Sequence, residues 1–356
     1  MPRPILAYID QNALEHNLQI ARGTTSARIM AVIKANGYGH GLLRAAEALT
    51  KAEGFALLDI KDAIALREAG YRQTILLLEG FFDAADLEQV AEYELASVIH
   101  SEWQIALLDA YPRRKSLEVW LKIDSGMHRL GFSSSQVAAA MQTLRRHRAV
   151  REITLMTHFA NADEERGVST QLEIYNSIAA QHRVPRSLAN SAALLRYPAT
   201  HGDWVRPGLM LYGASPFADV SAAQLGLRPA MTLVSRVIAI RQLDAGDEVG
   251  YGGKFRADRA MKIGVVACGY ADGYPRHAKN GTPLLVDGQR SQLLGRVSMD
   301  MLCVDLTFLP KAGIGARVTL WGAGMPIEEV ANSSETISYE LMCALTPRVP
   351  VAMEAI

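Results

Sequence analysis

The sequence predicts an eight-stranded α/β barrel of the TIM type, followed by a mainly antiparallel β domain. Three observations predict it. From residue 29 to about residue 212, short apolar runs alternate with amphipathic stretches of helical period, the texture of parallel βαβ units. Beyond about residue 226 apolar runs follow one another with turn signals between them and no helical stretch, the texture of an antiparallel sheet. At 356 residues the chain also exceeds what one hydrophobic core ordinarily supports, so a large and a smaller domain are expected. The predicted division is 1–226 and 227–356.

The expected barrel strands are the runs 29–33, 55–58, 74–78, 95–99, 117–123, 153–157, 187–189 and 209–212. Helical stretches at 42–52, 62–69, 83–91, 102–110, 133–146 and 170–182 separate them. Glu68-Ala69-Gly70 reads as a helix leaving through glycine. In the second part, strands are expected at 231–240, 262–268, 283–286, 292–294, 301–306 and 317–321. Ala245-Gly246-Asp247, Asp287-Gly288, Pro310 and Gly322-Ala323-Gly324 supply turns between them.

Composition narrows the function classes. Lys+Arg and Asp+Glu both number 37, so no broad electrostatic footprint for nucleic acid or an anionic membrane is expected. The cysteines, at positions 268, 303 and 343, are too few and scattered for a disulfide framework or a zinc site. No stretch approaches the ~20 apolar residues of a membrane span. The N-terminal apolar run is short and broken by Asp10, unlike a signal peptide. A cytoplasmic protein with a small-molecule site is the expectation.

Barrel chemistry gathers at the C-terminal ends of the strands, so polar residues there are candidates. Lys34 follows the first run, Glu79 ends the third, Lys122 and Asp124 the fifth, His158 the sixth and Asn190 the seventh, while Arg206 precedes the eighth. A partly desolvated Lys34 would have a lowered pKa and a nucleophilic amine suited to Schiff-base formation. On its strand context alone the plainer reading is an ordinary strand-end lysine reaching solvent. His158 by itself fits a satisfied core histidine, and Tyr251, in Gly250-Tyr251-Gly252, an exposed loop aromatic. Met299 fits core filler, and Lys122 an amine paired with Asp124.

The stretch Ala31-Val32-Ile33-Lys34-Ala35-Asn36-Gly37-Tyr38-Gly39-His40-Gly41 resembles the coenzyme-lysine motif of alanine racemases. Further blocks resemble that family in the same order: Lys122-Ile123-Asp124-Ser125-Gly126-Met127-His128-Arg129-Leu130-Gly131, Thr157-His158-Phe159-Ala160-Asn161-Ala162-Asp163, Asn190-Ser191-Ala192 and Arg206-Pro207-Gly208. Val249-Gly250-Tyr251-Gly252, Gly269-Tyr270-Ala271-Asp272-Gly273-Tyr274, Gly295-Arg296-Val297-Ser298-Met299-Asp300 and Ile337-Ser338-Tyr339-Glu340 continue it into the second part. Gly37 stands where alanine is more usual, Ser298 where many members carry cysteine, and Ser338 where asparagine is common. None of these departures removes a proposed functional group.

The resemblance implies that Lys34 holds pyridoxal 5'-phosphate as a Schiff base and Tyr251 serves as the opposing catalytic base. Tyr38, Ser191, Gly208, Leu209 and Tyr339 would hold the phosphate, with Asn190 beside them. Arg206 would face the pyridine nitrogen. Arg129 would serve the phenolic oxygen and the substrate carboxylate, and His158 would support Tyr251. Tyr270 and Met299 would line the substrate, alanine. Lys122 occupies the position of the family's carbamylated lysine. The family arrangement is a head-to-tail homodimer with composite sites. Inverting an α-carbon takes a proton from one face and returns it on the other, which a Lys34/Tyr251 pair on opposite faces would do. Arginine rather than a carboxylate against the ring nitrogen donates a hydrogen bond without yielding its proton. Two alternatives remain at this level: a broad-specificity amino-acid racemase on the same scaffold, and a non-catalytic coenzyme-binding protein.

Overall fold

The computed structural model describes residues 3–111 and 115–353. Eight parallel strands close into a barrel in chain order: β2 (Arg28–Val32), β3 (Gly54–Leu57), β4 (Thr74–Leu77), β5 (Ala96–Ile99), β6 (Leu117–Lys122), β7 (Val150–Met156), β8 (Arg186–Ser187) and β9 (Trp204–Val205). The ring closes where Arg28 and Ile29 lie beside Trp204 and Val205. The strands are nearly continuous apolar runs, as expected when helices cover the outside and packed side chains fill the inside. Trp120 and Trp204 meet with ring centroids 5.7 Å apart.

Local signals set the helices between them. Asp10 accepts from the Ala13 amide to cap the helix Gln11–Thr24, and Asp59 and Asp83 cap Ile60–Glu68 and Ala84–Glu92 in the same way. Ser133 and Gln136 form a reciprocal capping box at the start of Ser134–Arg146.

Two expectations are corrected. The eighth strand is Trp204–Val205, and 209–212 is instead a buried 3-10 turn, Leu209–Tyr212. Arg206 therefore follows the eighth strand rather than preceding it. Pro207 has no N–H to extend the ladder, although its carbonyl still accepts from Val32 N at 3.0 Å. An apolar run this short does not distinguish strand from buried turn by period. The second correction concerns helices in the second part, where none was expected: Ile327–Ser333 and Ser338–Cys343 are helical.

The second sheet is built on β10 (Met231–Leu243), with β13 (Met261–Val266), β14 (Pro283–Val286), β15 (Gln289–Leu294), β16 (Leu302–Asp305) and β17 (Arg317–Trp321) pairing antiparallel. Small β11 (Glu248–Val249) and β12 (Phe255–Arg256) form a separate ribbon. β10 pairs with β17 up to Arg236 and with β13 from Val237 onward, with a register irregularity between Val237 and Ala239 just past the change of partner. Asp287 and Gly288 both have positive φ, 44° and 77°, and make the two-residue hairpin turn that their sequence signalled. The first strand of the chain, β1 (Leu6–Ile9), joins this sheet against β10, with β18 (Val351–Ala352) on its other side. The first and last strands of the described residues therefore both lie in the second sheet. Among the described residues no helix is long and apolar enough to cross a membrane.

Gly213 ends the 3-10 turn that leads out of the barrel. Its φ is +82°, and a Cβ there would stand 1.8 Å from the Arg228 carbonyl oxygen. Both the left-handed backbone and the close approach demand glycine. Gly213→Ala is expected to cost on the order of 2–4 kcal/mol. Thermal denaturation checks this: the midpoint should fall by roughly 3–5 °C.

Candidate active site

At the C-terminal end of β2 the chain makes a turn that ordinary residues avoid. Ala35, Asn36, Gly37 and Tyr38 have φ of 53°, 55°, 60° and 49°, a continuous left-handed turn. Each non-glycine residue there costs ~1–2 kcal/mol, and strain of this kind persists only where surroundings over-determine it. Gly37 N donates to Ile33 O at 2.9 Å, Gly41 N to Asn36 O at 2.8 Å, and Leu42 N to the Asn36 side-chain oxygen at 2.9 Å. A Cβ on Gly37 would lie 2.9 Å from Ala45 Cβ, so the residue that departs from the usual motif suits its neighbour. Buried His40 donates from Nδ1 to Tyr38 O at 2.8 Å, which fixes its tautomer, and its ring packs 4.7 Å from Tyr212. Tyr212 stacks on Tyr38 at 4.6 Å and donates to Val32 O at 3.0 Å.

This turn leaves Lys34 half-buried at the mouth and sends Tyr38 toward Gly208. A Cβ on Gly208 would sit 2.7 Å from the Tyr38 hydroxyl. Tyr339 tilts against Tyr38 with centroids 5.7 Å apart. Ser191 Oγ accepts from Gly208 N at 2.9 Å and keeps its own hydroxyl proton to donate. Leu209 follows in the buried 3-10 turn. Asn190 uses its side-chain oxygen to cap the next helix, accepting from Ala193 N at 3.0 Å. Burial raises the phenols of Tyr38 and Tyr339, the latter to about 12, so both stay hydrogen-bond donors. Tyr38, Ser191, Gly208 and Tyr339 thus converge as neutral donors around one small cradle.

Beside that cradle lie Lys34, Lys122, Arg129, His158 and Arg206. Burial and the Arg129 charge lower the Lys34 amine, against the pull of Glu79. Lys122 is lowered to about 8 by burial and then by Arg206, Arg129 and Lys34. Burial and the neighbouring cations hold His158 well below the usual histidine range, so its ring is neutral. Its backbone is fixed by Gln171, whose Nε2 donates to His158 O at 3.1 Å. Arg206 is buried and lowered to about 10, still cationic at neutral pH. It donates from Nη1 to Ser187 Oγ and from Nη2 to Thr157 O, both at 2.6 Å. These bonds hold the guanidinium rigid and do not use Nε. Asp124 turns away from Lys122: it accepts from Gly126 N and His128 N at 3.0 Å and pairs with the His128 ring. Lys122, Arg129, Thr157 and His158 line one small pocket. Lys122 and Arg206 are buried and Lys34 half-buried, while Arg129 is exposed at the rim; such an excess of positive charge suits a ligand with several anionic groups.

The remaining candidates stand apart. Tyr251 is 69% exposed and Met299 52% exposed, and Tyr270 is exposed as well. The ionisable groups bearing on Lys34 are Arg129, Glu79 and Cys343, without Tyr251. Sequence reasoning assigned no role to His40, Tyr212, Thr157 or Ser187. His40 lay inside the lysine motif, whereas Tyr212 was hidden in a misplaced strand.

Comparison with known proteins agrees with this geometry over the whole chain. Residues 9–216 match the family model described as alanine racemase, N-terminal domain, and 230–353 match alanine racemase, C-terminal domain. The chain belongs to the alanine racemase family. A relative from Nitrosospira multiformis named alanine racemase is 57% identical, with 98% of this chain and 99% of the relative covered. A crystal structure titled biosynthetic alanine racemase from Pseudomonas aeruginosa superposes with a TM-score of 0.97 at 46% identity, covering 99% of this chain and all of that one. The alanine racemase of Acinetobacter baumannii gives 0.93 at 37% identity, with 99% and 100% covered. Membership also fixes the broad reaction type as isomerisation.

The lowered amine of Lys122 has a direct consequence. At pH 8 about half of it is neutral, roughly 100-fold more than for an unperturbed lysine. Carbon dioxide reacts only with the neutral amine. With ¹³C-labelled CO2, a carbamate resonance should grow as pH rises through about 8 and vanish in Lys122→Met.

Proposed function

We propose that this enzyme interconverts L- and D-alanine, with pyridoxal 5'-phosphate held at Lys34 and Tyr251 of a second copy as the opposing acid–base group. The observation that carries the reading is the half-buried, pKa-lowered Lys34 amine beside a cradle of neutral donors. The cradle at Gly208 is one that a Cβ would fill, and the surrounding cations complement a phosphate and a substrate carboxylate. The donor set therefore fits the coenzyme. Tyr38, Ser191, Gly208, Leu209 and Tyr339 would hold its phosphate, with Asn190 at their margin, and Arg206 would face its pyridine nitrogen. When bound, pyridoxal 5'-phosphate supplies a conjugated ring that takes up the electron pair released at the substrate α-carbon.

The rest is side-chain chemistry. Arg129 pairs with the substrate carboxylate and orients the α-hydrogen. Lys122, once converted to a carbamate, turns a repelling cation into an anion that holds Arg129. The Lys34 amine takes or returns a proton on one face, helped by the burial that lowers its pKa. The Tyr251 phenol does so on the other, beside the neutral His158 ring. Arg206, clamped by Ser187 and Thr157, donates from its free Nε without giving up its proton. Tyr270 and Met299 restrict the side chain to a methyl group. A head-to-tail homodimer supports this arrangement, because the exposed Tyr251, Tyr270 and Met299 become site residues when a second copy meets the barrel mouth.

Two experiments test the reading. Lys34→Ala and Tyr251→Phe homodimers should each lose alanine racemisation by at least ~10³-fold. Denaturing and refolding the two together should restore activity, since mixed dimers carry one intact site. Recovery no greater than the sum of the parents would exclude a shared site. In Arg206→Glu, a carboxylate that shares a proton with the ring nitrogen should raise transamination relative to racemisation. Chromatographic detection of pyruvate formed per D-alanine measures it, and an unchanged ratio contradicts the role given to Arg206.

A further inference from the structure

One fully buried carboxylate ties the loops bearing Tyr270 and Met299 to both ends of the chain. Asp272 has no exposed surface. Its Oδ1 accepts from Arg3 Nη1 at 2.7 Å and forms an ion pair with the Arg348 guanidinium, whose Nε lies 2.9 Å away. Its Oδ2 accepts from Gly269 N at 2.9 Å. Arg3 also donates to Asp300 O at 2.7 Å, and Arg348 pairs with the Asp300 carboxylate. The two loops are zipped directly as well. Tyr270 N donates to Ser298 O and Ala271 N to Met299 O, each at 3.0 Å. A Cβ on Gly269 would lie 2.3 Å from Met299 O, so the backbones touch. Behind them Thr346 Oγ1 donates to Ala271 O at 2.9 Å, and a Cβ on Gly273 would stand 2.4 Å from Ala344 O.

Charge-assisted bonds of this kind are short and directional, and a buried carboxylate stripped of its cations is strongly disfavoured. The short turn Tyr270–Asp272 therefore has little freedom to rotate. The residue that anchors it is two positions from Tyr270, and the same arginines reach Asp300, next to Met299.

We propose that Asp272, together with Arg3 and Arg348, is the positioning group that sets the size of the substrate side-chain pocket by holding Tyr270 and Met299 in place. This inference rests on the racemase reading above, in which those two residues line the substrate. Asp272 itself touches no reacting atom. Discrimination between a methyl and a hydroxymethyl side chain depends on a wall that does not retreat, and the brace supplies that stiffness.

Steady-state kinetics of the coenzyme-loaded enzyme with alanine and serine test it, in the wild type and in Asp272→Asn, Arg348→Ala and Arg348→Lys. Asp272→Asn is expected to raise the alanine KM about 10-fold, with a smaller change in kcat and unaltered coenzyme affinity. The serine-to-alanine ratio of kcat/KM should rise. Arg348→Ala should move both quantities the same way, and Arg348→Lys should restore most of the loss. If Asp272→Asn does not fold, the Arg348 pair carries the test. Wild-type KM and selectivity in the soluble variants would overturn the proposal, as would an equal fall for both substrates accompanied by loss of coenzyme. A wild-type enzyme inert toward alanine would instead sink the racemase reading, and this inference with it.

Discussion

Positive charge crowded into a half-buried barrel mouth is the constraint on which this site depends. Burial, and then the charges of Arg206, Arg129 and Lys34, lower the Lys122 amine, and burial together with the surrounding cations keeps His158 neutral. Glu79 is the carboxylate that opposes them at both lysines. A mouth so unbalanced is costly unless anions enter it. Burial first, and the Arg129 charge second, lower the Lys34 amine toward the neutral form. Binding and chemistry thus draw on a single electrostatic arrangement, with the neutral donors of Tyr38, Ser191 and Tyr339 set at its edge.

Backbone geometry makes the arrangement possible. The left-handed turn from Ala35 to Tyr38 stores strain, and its hydrogen bonds and aromatic packing hold it. His40 fastens the turn from inside and Tyr212 fastens it to β2. A turn so over-determined keeps Lys34 and Tyr38 on fixed sides of the mouth. Arg206 is fixed in the same spirit, by a hydroxyl and a carbonyl from neighbouring strand ends.

Much of this was legible in the sequence. The barrel followed from alternating apolar runs, and the lysine motif stood where a strand should end. Legibility failed where the signal was short or nonlocal. Residues 204–205 are too few to announce a strand, so the neighbouring apolar 209–212 took its place. Ile327–Ser333 spans under two full turns, too short for helical period to emerge. Pairing of β1 with β10 joins positions far apart in the chain, which no local pattern encodes. His40 and Tyr212 gain their roles only from three-dimensional contact with the left-handed turn, and Asp272 only from arginines at both chain ends.

Everything in this account passes through the amine at position 34. The most direct measurement is borohydride reduction of the purified protein supplied with pyridoxal 5'-phosphate, followed by peptide mapping. The account predicts one stoichiometric phosphopyridoxyl adduct per chain, on the peptide containing Lys34. A colourless protein that refuses the coenzyme, or an adduct mapped to Lys122 or another lysine, would contradict it.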